Sequence, residues 1–366
     1  PFWLKLSARR DAPPRRPRQQ WAMAAGAMGD IAADEDPKVL LCGAHGAGKT
    51  SILKVVFSQL APDDAANVVS TQRVEVTSVT RNPLVSFKVV DTCPSYIFDE
   101  TTDAVLLSKT GVVVIVIDVR DDSYLEGLVL ARKNIEVALK VNSKIYFDFL
   151  IHKVDNDQFL VDERGPEIQR DIHSKLSEEL HDKTAQMSFH CTSIYDHTIF
   201  EAFSKIVQKL IPQLHILEQC LDLLITHSRM EKAYLFDIRS KIYVASDPQP
   251  IDIQSYALLS EMIDVVVNVS CIYGQQEELM RMHRYDSLFN STDESCPKRS
   301  CVIHLNNGSL LYLREVDNCL ALVCIIRVEN FDRQHLLEHN IKVFKEALAD
   351  IFRVSQGSPS SITSRS

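Results

Sequence analysis

One stretch limits what this chain can fold into more than any other, and its sequence is Gly43-Ala44-His45-Gly46-Ala47-Gly48-Lys49-Thr50. It follows the apolar run 38–42 and precedes the amphipathic run 51–60, so we predict a strand, a glycine-rich loop and a helix in succession. In that context the spacing G-x-x-x-x-G-K-T is typical of the phosphate-binding P-loop. A glycine-rich turn that only joins a strand to a helix is the alternative, and the register of all three parts disfavours it.

The residue types of this loop suit a bound phosphate group. Gly43 and Gly48 allow backbone angles that are closed to residues with a Cβ, so the loop can turn its N–H groups inward as an anion nest. The following helix adds partial positive charge at its N-terminus. Lys49 can reach the β- and γ-phosphates, and the Thr50 hydroxyl can ligate Mg²⁺. The predicted phosphate-binding residues are Gly43, Ala44, His45, Gly46, Ala47, Gly48, Lys49, Thr50 and Ser51. The loop alone leaves kinases, ATPases and GTPases open.

Composition excludes several classes of protein. The 366 residues are enough for two ordinary domains, and 45% hydrophobic with 24% charged residues is typical of a globular protein. A net charge of −9 argues against nucleic-acid binding. The nine cysteines include no C-x-x-C pair, and most lie in apolar runs, so we expect reduced thiols in a cytoplasmic protein. No apolar run approaches the ~18 residues of a transmembrane helix, so we expect no direct membrane insertion.

The first domain is predicted to be a doubly wound α/β domain. Residues 1–36 mix arginines, prolines and an Ala/Gly-rich run, and we expect a disordered extension there. Residues 37–217 alternate strands with amphipathic helices, which indicates a parallel sheet covered on both faces and a ligand at the carboxyl ends of its strands. The predicted strands are 38–42, 74–79, 85–91, 112–118, 145–151 and 187–191.

The C-terminal part of the chain has a different pattern. Residues 218–354 follow the order helix, two strands, helix, three strands, helix, which indicates a second α/β domain with an antiparallel sheet. We expect Pro212 to kink or split the helix that enters it, and Arg239-Ser240 to form a two-residue hairpin turn. The polar loop 275–300 is expected to be mobile and the Ser-rich tail 355–366 disordered. No catalytic constellation stands out in this domain. The predicted strands are 233–238, 241–246, 301–305, 309–315 and 319–326.

The stretch His152-Lys153-Val154-Asp155, directly after a predicted strand, indicates which base is bound. A carboxylate there can accept hydrogen bonds from the N1–H and 2-amino groups of guanine, and adenine lacks that pair of donors. The Lys153 stem can pack on the base plane. The usual GTPase motif is N-K-x-D, and His152 replaces its asparagine. A charged loop after a strand is the alternative; we predict guanine contacts from His152, Lys153 and Asp155.

Two further loops complete the predicted site. Thr192, Ser193 and Ile194 follow a strand where GTPases contact the guanine oxygen, and we add them to the guanine site. Asp91 ends a strand and can hold Mg²⁺ through water, while Thr71 is a candidate switch residue that would ligate Mg²⁺ only with a triphosphate bound. An ordinary surface threonine is the alternative for Thr71. The predicted metal residues are Thr50, Thr71 and Asp91.

The segment after Asp91 departs from the usual GTPase pattern. GTPases continue D-x-x-G, often with a glutamine next; the glycine N–H bonds the γ-phosphate and the glutamine orients the attacking water. This chain has Pro94 and Ser95 instead, and proline has no N–H. No glutamine lies between Gln72 and Gln158. We therefore expect slow hydrolysis, or dependence on a group supplied by a partner.

Taken together, these motifs resemble the Rag GTPases, specifically the RagC/RagD type. The resemblance extends from about Pro37 to Arg353, and histidine at position 152 is itself a mark of the subgroup. Members keep a glycine and a glutamine after the aspartate, and this chain keeps neither. The matching segments besides the P-loop are 51–57, 152–155, 192–197, 199–214, 231–237 and 270–274.

The resemblance implies a C-terminal roadblock/longin-like domain and GTP/GDP with Mg²⁺ as cofactors. It implies an obligate heterodimer with a RagA/RagB-type GTPase, joined through the C-terminal domains. It also implies recruitment to the lysosomal or vacuolar surface by a Ragulator-like scaffold complex, signalling of amino-acid sufficiency to a subunit of TORC1, and a form that is active with GDP. A lipid anchor is not expected, because the sequence ends Thr363-Ser364-Arg365-Ser366 without a prenylatable cysteine.

Three functional hypotheses remain at this point. The first is a regulatory GTPase that exchanges partners with its nucleotide state. The second is a pseudo-GTPase, which would be the structural, nucleotide-stabilised half of the heterodimer. The third is a P-loop ATPase or kinase, which Asp155 disfavours. The missing glycine and glutamine favour the second hypothesis over an ordinary small GTPase, while the intact P-loop, Thr71 and Asp155 favour retained nucleotide binding.

Overall fold

The computed structural model describes two sheets, each covered by helices. The described residues are 38–65, 67–69, 71, 73–82, 85–120, 124–155, 164–179, 185–247, 253–273, 300–317 and 320–355. The predictions made for residues 1–36, 275–300 and 355–366 lie outside this part of the chain, except at two boundary residues. Ser300 begins a strand and Ser355 ends a helix, so the predicted loop and tail are each one residue too long.

The first sheet has six strands in the order β2-β3-β1-β4-β5-β6. The strands are β1 (Lys38–Gly43), β2 (Glu75–Asn82), β3 (Val85–Asp91), β4 (Thr110–Asp118), β5 (Tyr146–His152) and β6 (Gln186–Thr192). The helices are α1 (Lys49–Ser58), α2 (Pro62–Ala65), α3 (Ala104–Ser108), α4 (Tyr124–Val141), α5 (Arg164–Glu179) and α6 (Thr198–Gln208). All six predicted strands are confirmed. The sheet is mixed and not wholly parallel as predicted, because β2 runs antiparallel to β3 after a short connection, while the other pairs are parallel.

Continuous apolar strands account for the double covering of this sheet. All six residues of β1 are buried, and its side chains alternate between two clusters. Val39 and Leu41 pack towards α1 and α6, while Leu40 and Cys42 pack towards α4. Burial on both faces leaves the ends of the strands as the places where a ligand can reach this sheet.

The second sheet is antiparallel, with five strands in the order β8-β7-β11-β10-β9. Its strands are β7 (Met230–Asp237), β8 (Tyr243–Ser246), β9 (Ser300–His304), β10 (Ser309–Asp317) and β11 (Leu320–Arg327). The helices of this part are α7 (Leu214–Ser228), α8 (Ile253–Tyr273), α9 (Val328–Phe331) and α10 (Gln334–Ser355). Alternate residues of β7 serve its two faces: Tyr234 and Phe236 pack with α8, while Ala233 and Leu235 pack with α7 and α10. The five predicted strands and their order are confirmed.

The two parts of the chain meet where the long amphipathic segment breaks. The expected break at Pro212 is confirmed, since α6 ends at Gln208 and α7 begins at Leu214. Across the junction, the Ser204 hydroxyl oxygen accepts a hydrogen bond of 3.1 Å from the Tyr243 N–H. The domain division predicted between residues 217 and 218 falls inside α7 and stays a prediction.

Candidate nucleotide-binding site

An open cavity of about 470 Å³ lies at the carboxyl ends of β1, β4, β5 and β6. Its volume is in the range of small-molecule binding sites. The predicted residues that line it are His45, Gly46, Ala47, Gly48, Lys49, Thr50, Ser51, Thr71, His152, Lys153, Asp155 and Ile194. The predicted residues outside the lining are Gly43, Ala44, Asp91, Thr192 and Ser193. Most of a site predicted from loops far apart in sequence therefore converges on one cavity.

The P-loop needs glycine at two positions for different reasons. A Cβ on Gly43 would lie 2.5 Å from the carbonyl oxygen of Val116 on the neighbouring strand. Gly48 has a φ of 101°, in the left-handed region, and a Cβ there would lie 2.8 Å from a ring carbon of His152. Gly48 precedes α1, so the loop delivers the free N–H groups of the helix N-terminus to the cavity.

Lys49 is held under the loop by backbone carbonyls. Its Nζ donates to the carbonyl oxygens of Gly43 at 3.0 Å and Ala44 at 3.1 Å. The side chain is buried, and burial lowers the pKa of Lys49 below its ordinary value, although the Asp91 charge opposes this. A cation placed in a concave loop of N–H donors can attract phosphate oxygens.

Three oxygen-bearing side chains lie together beside Lys49. The Thr50 hydroxyl donates to Asp91 Oδ2 at 2.6 Å, and the Thr71 hydroxyl donates to the same oxygen at 3.1 Å. The two hydroxyl oxygens are 2.6 Å apart. Burial raises the pKa of Asp91 above its ordinary value, against the opposing effect of the Thr50 hydrogen bond and the Lys49 charge.

This cluster fits the chemistry of Mg²⁺. The second carboxylate oxygen, Asp91 Oδ1, is buried and has no hydrogen-bond partner among the described residues. A buried acceptor without a partner is costly, so a cation or its water would relieve the cost. Hydroxyl and carboxylate oxygens are the ligands that this hard cation prefers.

At the other end of the cavity, Asp155 is exposed, and Ser193 of the loop after β6 holds its carboxylate. Ser193 Oγ donates to Asp155 Oδ1 at 2.9 Å and accepts the Tyr195 N–H at 3.1 Å. The Ser193 N–H donates in turn to the Thr198 hydroxyl at 3.0 Å. These bonds fix the carboxylate where it can accept hydrogen bonds from a base.

His152 packs behind the P-loop. Its Nδ1 lies 3.1 Å from Thr192 Oγ1, and its ring meets Gly48 from behind. The side chain is 1% exposed. Burial, assisted by the nearby Lys153 charge, lowers the pKa of His152 from 6.5 to about 4. The imidazole is therefore neutral at pH 7. It supports the P-loop by packing against Gly48, and its hydrogen bond to Thr192 fixes the orientation of the ring.

We expect His152 to make the fold acid-sensitive. Its pKa is lower in the folded state, so the unfolded chain takes up the proton first and stability falls as pH drops from 6.5 towards 4. The loss due to His152 should be about 2 kcal/mol between pH 7 and pH 5. Urea unfolding of the wild type and of His152→Asn at both pH values measures it. Equal losses in the two proteins would show that His152 is not the titrating group.

Sequence reasoning missed several residues at this site. Tyr195 and Arg120 line the cavity, and Asp118 at the end of β4 accepts a hydrogen bond from the Arg120 N–H at 3.0 Å. Asp118 could have been found, since a carboxylate at the carboxyl end of a parallel strand is positioned like Asp91. The Lys153 ammonium donates to Asp118 Oδ2 and to the Gly46 carbonyl oxygen. Burial alone would raise the pKa of Asp118, but hydrogen bonds from Lys153 and Arg120 outweigh it and the pKa is lowered.

The segment after Asp91 offers little to a γ-phosphate. Pro94 lines the cavity and has no N–H to donate. Ser95 has a φ of 56°, and its N–H donates to the Gly43 carbonyl oxygen at 3.1 Å. The first backbone donor after Pro94 is therefore directed at the P-loop and not into the cavity.

The residues that follow are fastened to α4. Asn134 is fully buried, donates to the Tyr96 carbonyl oxygen at 2.9 Å and accepts the Phe98 N–H at 3.0 Å. Phe98 is itself in the core, and the Tyr96 hydroxyl donates to Asp103 at 3.0 Å. This segment is held by contacts that involve no residue of the cavity lining.

Fold and site together define a P-loop nucleotide-binding protein with the topology of a G protein. The sequence model of the "Gtr1/RagA G protein conserved region" matches residues 38–263. Mouse Ras-related GTP-binding protein C is 42% identical over 325 residues, which cover 87% of this chain and 77% of the mouse protein. Mouse Ras-related GTP-binding protein D is 44% identical over 324 residues, covering 87% and 69% of the two chains. GTP-binding protein gtr2 of Schizosaccharomyces pombe is 39% identical over 323 residues, covering 86% and 98%.

The chain belongs to the Gtr1/RagA family of G proteins, and within it to the RagC/RagD type. The predicted family is thereby confirmed, and with it a guanine-nucleotide-binding GTPase of the Rag type. Among the helices that the structure describes, none is long and apolar enough to cross a membrane.

Proposed function

We propose that this chain holds GDP or GTP with Mg²⁺ in the cavity described above, as the RagC/RagD-like half of a heterodimer. One observation carries the proposal: a single cavity joins the P-loop to Asp155, whose carboxylate is fixed by Ser193. The P-loop N–H groups and Lys49 would hold the phosphates, and Thr50, Thr71 and Asp91 would together hold Mg²⁺. Asp155, with Ile194 and Lys153 beside it, binds the base.

The purified protein should release GDP or GTP when it is denatured. Chromatography of the released nucleotide, with ADP and ATP as standards, tests the proposal. Release of adenine nucleotides, or failure to take up GDP in the presence of Mg²⁺, would contradict it.

Intrinsic hydrolysis is slow in this proposal. Pro94 removes one donor to the γ-phosphate, the Ser95 N–H donates to the Gly43 carbonyl oxygen, and no glutamine follows Asp91 before Gln158 to orient water. A partner that supplies a group in trans would turn the chain into a working switch. Without such a group it acts as a nucleotide-stabilised structural subunit, which is the second candidate function.

The second domain is the proposed site of heterodimer formation. The order of its elements and its five-stranded antiparallel sheet support a roadblock-type domain. β9 is the end strand of the sheet and, among the described residues, pairs only with β10. On α8, Leu258 and Val265 are 37% and 49% exposed and lie seven residues apart on one helix face. An open strand edge beside an apolar helix face suits the matching domain of a RagA/RagB-type GTPase.

Replacing Val265 with glutamate should therefore release the partner. A charge buried in the interface without a counter-charge should weaken association at least ~10-fold. The matched control is Val343→Glu on α10, where the valine is 51% exposed on the opposite side of the sheet. Co-purification of the two subunits measures both variants, and equal retention of the partner would place the interface elsewhere.

The cellular role follows from the family and is proposed on that basis. The heterodimer signals amino-acid sufficiency to TORC1 from the surface of the lysosome or vacuole, where a Ragulator-like scaffold holds it. Fluorescence microscopy of the tagged chain with and without amino acids tests this role. A distribution unrelated to lysosomes in cells that contain the partner subunit would contradict it.

A further inference from the structure

Lys153 bridges the two loops that bind opposite ends of the nucleotide. Its Nζ donates to the carbonyl oxygen of Gly46, at the crest of the P-loop, at 2.6 Å. The same nitrogen donates to Asp118 Oδ2 at 2.5 Å. The Lys153 backbone has a φ of 68°, in the left-handed region, and its N–H donates to the Thr192 carbonyl oxygen at 2.9 Å. One backbone hydrogen bond and two side-chain hydrogen bonds thus fix the position of Lys153.

Asp118 is itself fixed in orientation. Its Oδ1 accepts the Arg120 N–H at 3.0 Å, which leaves Oδ2 for Lys153. In the parallel register, Asp118 is paired with His152, one residue before Lys153. The ion pair is largely shielded, since the Asp118 and Lys153 side chains are each 19% exposed. Shielding strengthens a charge-assisted hydrogen bond relative to one on the surface.

We propose that Asp118 is a positioning residue for nucleotide binding, which holds the Lys153 ammonium across the crest of the P-loop. This inference rests on the proposed nucleotide site. With Asp118 in place, the guanine loop that carries Asp155 is tied to the phosphate loop at Gly46. Without it, a single carbonyl oxygen holds the ammonium, which can turn towards solvent. The two loops then open independently and the nucleotide escapes faster.

A double-mutant cycle on GDP release tests this role, because Asp118 acts through Lys153 and not on the ligand. The full chain with its partner is loaded with fluorescent GDP, and dissociation is followed for Asp118→Asn, Lys153→Met and the double variant. We expect release about 10-fold faster in each single variant, which corresponds to the loss of one charge-assisted hydrogen bond. The double variant should release GDP no faster than Lys153→Met alone.

Two further variants separate positioning from general destabilisation. Asp118→Glu keeps the carboxylate and should restore part of the slow release. Asp171→Asn is the matched control, since Asp171 pairs with Lys175 at 2.6 Å outside the cavity lining, and release should stay at the wild-type rate. Thermal unfolding of each variant without nucleotide should change little.

Three results would overturn the inference. Wild-type release from Asp118→Asn would show that the ion pair does not retain nucleotide. Additive effects in the double variant would mean that Asp118 acts independently of Lys153. Equal acceleration by Asp171→Asn would indicate a general effect of charge. A wild-type chain that never binds fluorescent GDP would refute the proposed function itself, so the two failures are distinguishable.

Discussion

Replacing Asp155 with asparagine should convert the site from guanine to xanthine nucleotides. In the proposed site the carboxylate would accept hydrogen bonds from both N1–H and the 2-amino group of guanine, whereas asparagine would set its own NH₂ against that amino group. Xanthine carries an oxygen at the same position, so the asparagine NH₂ can donate to it while its carbonyl still accepts N1–H. Sites that match polar groups in this way discriminate by a factor on the order of 10⁴. We expect GDP affinity to fall by about 10³ and XDP to bind in its place.

Competition between GDP and XDP for the wild type, Asp155→Asn and Asp155→Ala measures this exchange. Asp155→Ala should weaken GDP without gaining XDP, which distinguishes a new contact from a looser pocket. The Ser193 hydroxyl supports the carboxylate at 2.9 Å and can donate to the asparagine oxygen equally well, so the loop should keep its shape. An Asp155→Asn protein that still prefers GDP would show that another residue selects the base.

The parts of the site that follow from local pattern were predictable. The roles of Gly43, Gly48 and Lys49 depend on their own backbone positions, so the motif spacing was enough to place them. Asp91 and Asp155 were predictable because Asp91 ends β3 and Asp155 lies in the loop directly after β5, and the carboxyl ends of parallel strands meet at one edge of the sheet. The structure brings these residues together as the prediction requires.

Contacts that depend on register between strands were not predictable. Asp118 meets Lys153 because β4 and β5 are aligned with Asp118 opposite His152, and no pattern within either strand fixes that alignment. The His152 contact with Gly48 depends in the same way on how closely β5 approaches the P-loop.

The turn between β7 and β8 differs from its prediction because a side chain closes it. The two-residue turn expected at Arg239-Ser240 is wrong, since β7 ends at Asp237 and β8 begins at Tyr243. The Asp237 carboxylate accepts the Ser240 N–H at 2.9 Å, and the Asp237 N–H donates to the Ile242 carbonyl oxygen at 2.8 Å. A wider turn, closed by the buried Asp237, replaces the tight hairpin. A two-residue turn needs positive φ angles, which would strain a sequence without glycine at those positions.

The intrinsic GTP hydrolysis rate should be on the order of 10⁻⁶ s⁻¹, some hundredfold below that of a small GTPase with its full switch. The reason is the geometry after Asp91. Pro94 faces the cavity without an N–H, and the Ser95 N–H is bonded to Gly43. Asn134 holds the next residues against α4, so the segment cannot easily turn another donor towards the γ-phosphate.

Single-turnover hydrolysis, with protein in excess over GTP and GDP formation followed by chromatography, measures this rate. Pro94→Gly supplies a backbone donor, and Ser95→Gln supplies a group to orient water. Together they should raise the hydrolysis rate roughly tenfold. The gain is smaller than the 10²–10³ in kcat that a well-positioned donor contributes, because the two new groups are not held in the optimal geometry. Each substitution alone should do less, because the water and the γ-phosphate must be held at the same time. A wild-type rate on the order of 1 s⁻¹ with no residue added in trans would refute slow hydrolysis. A partner protein that raises hydrolysis by the wild-type chain to this rate must therefore supply both missing groups, or one group that does the work of both.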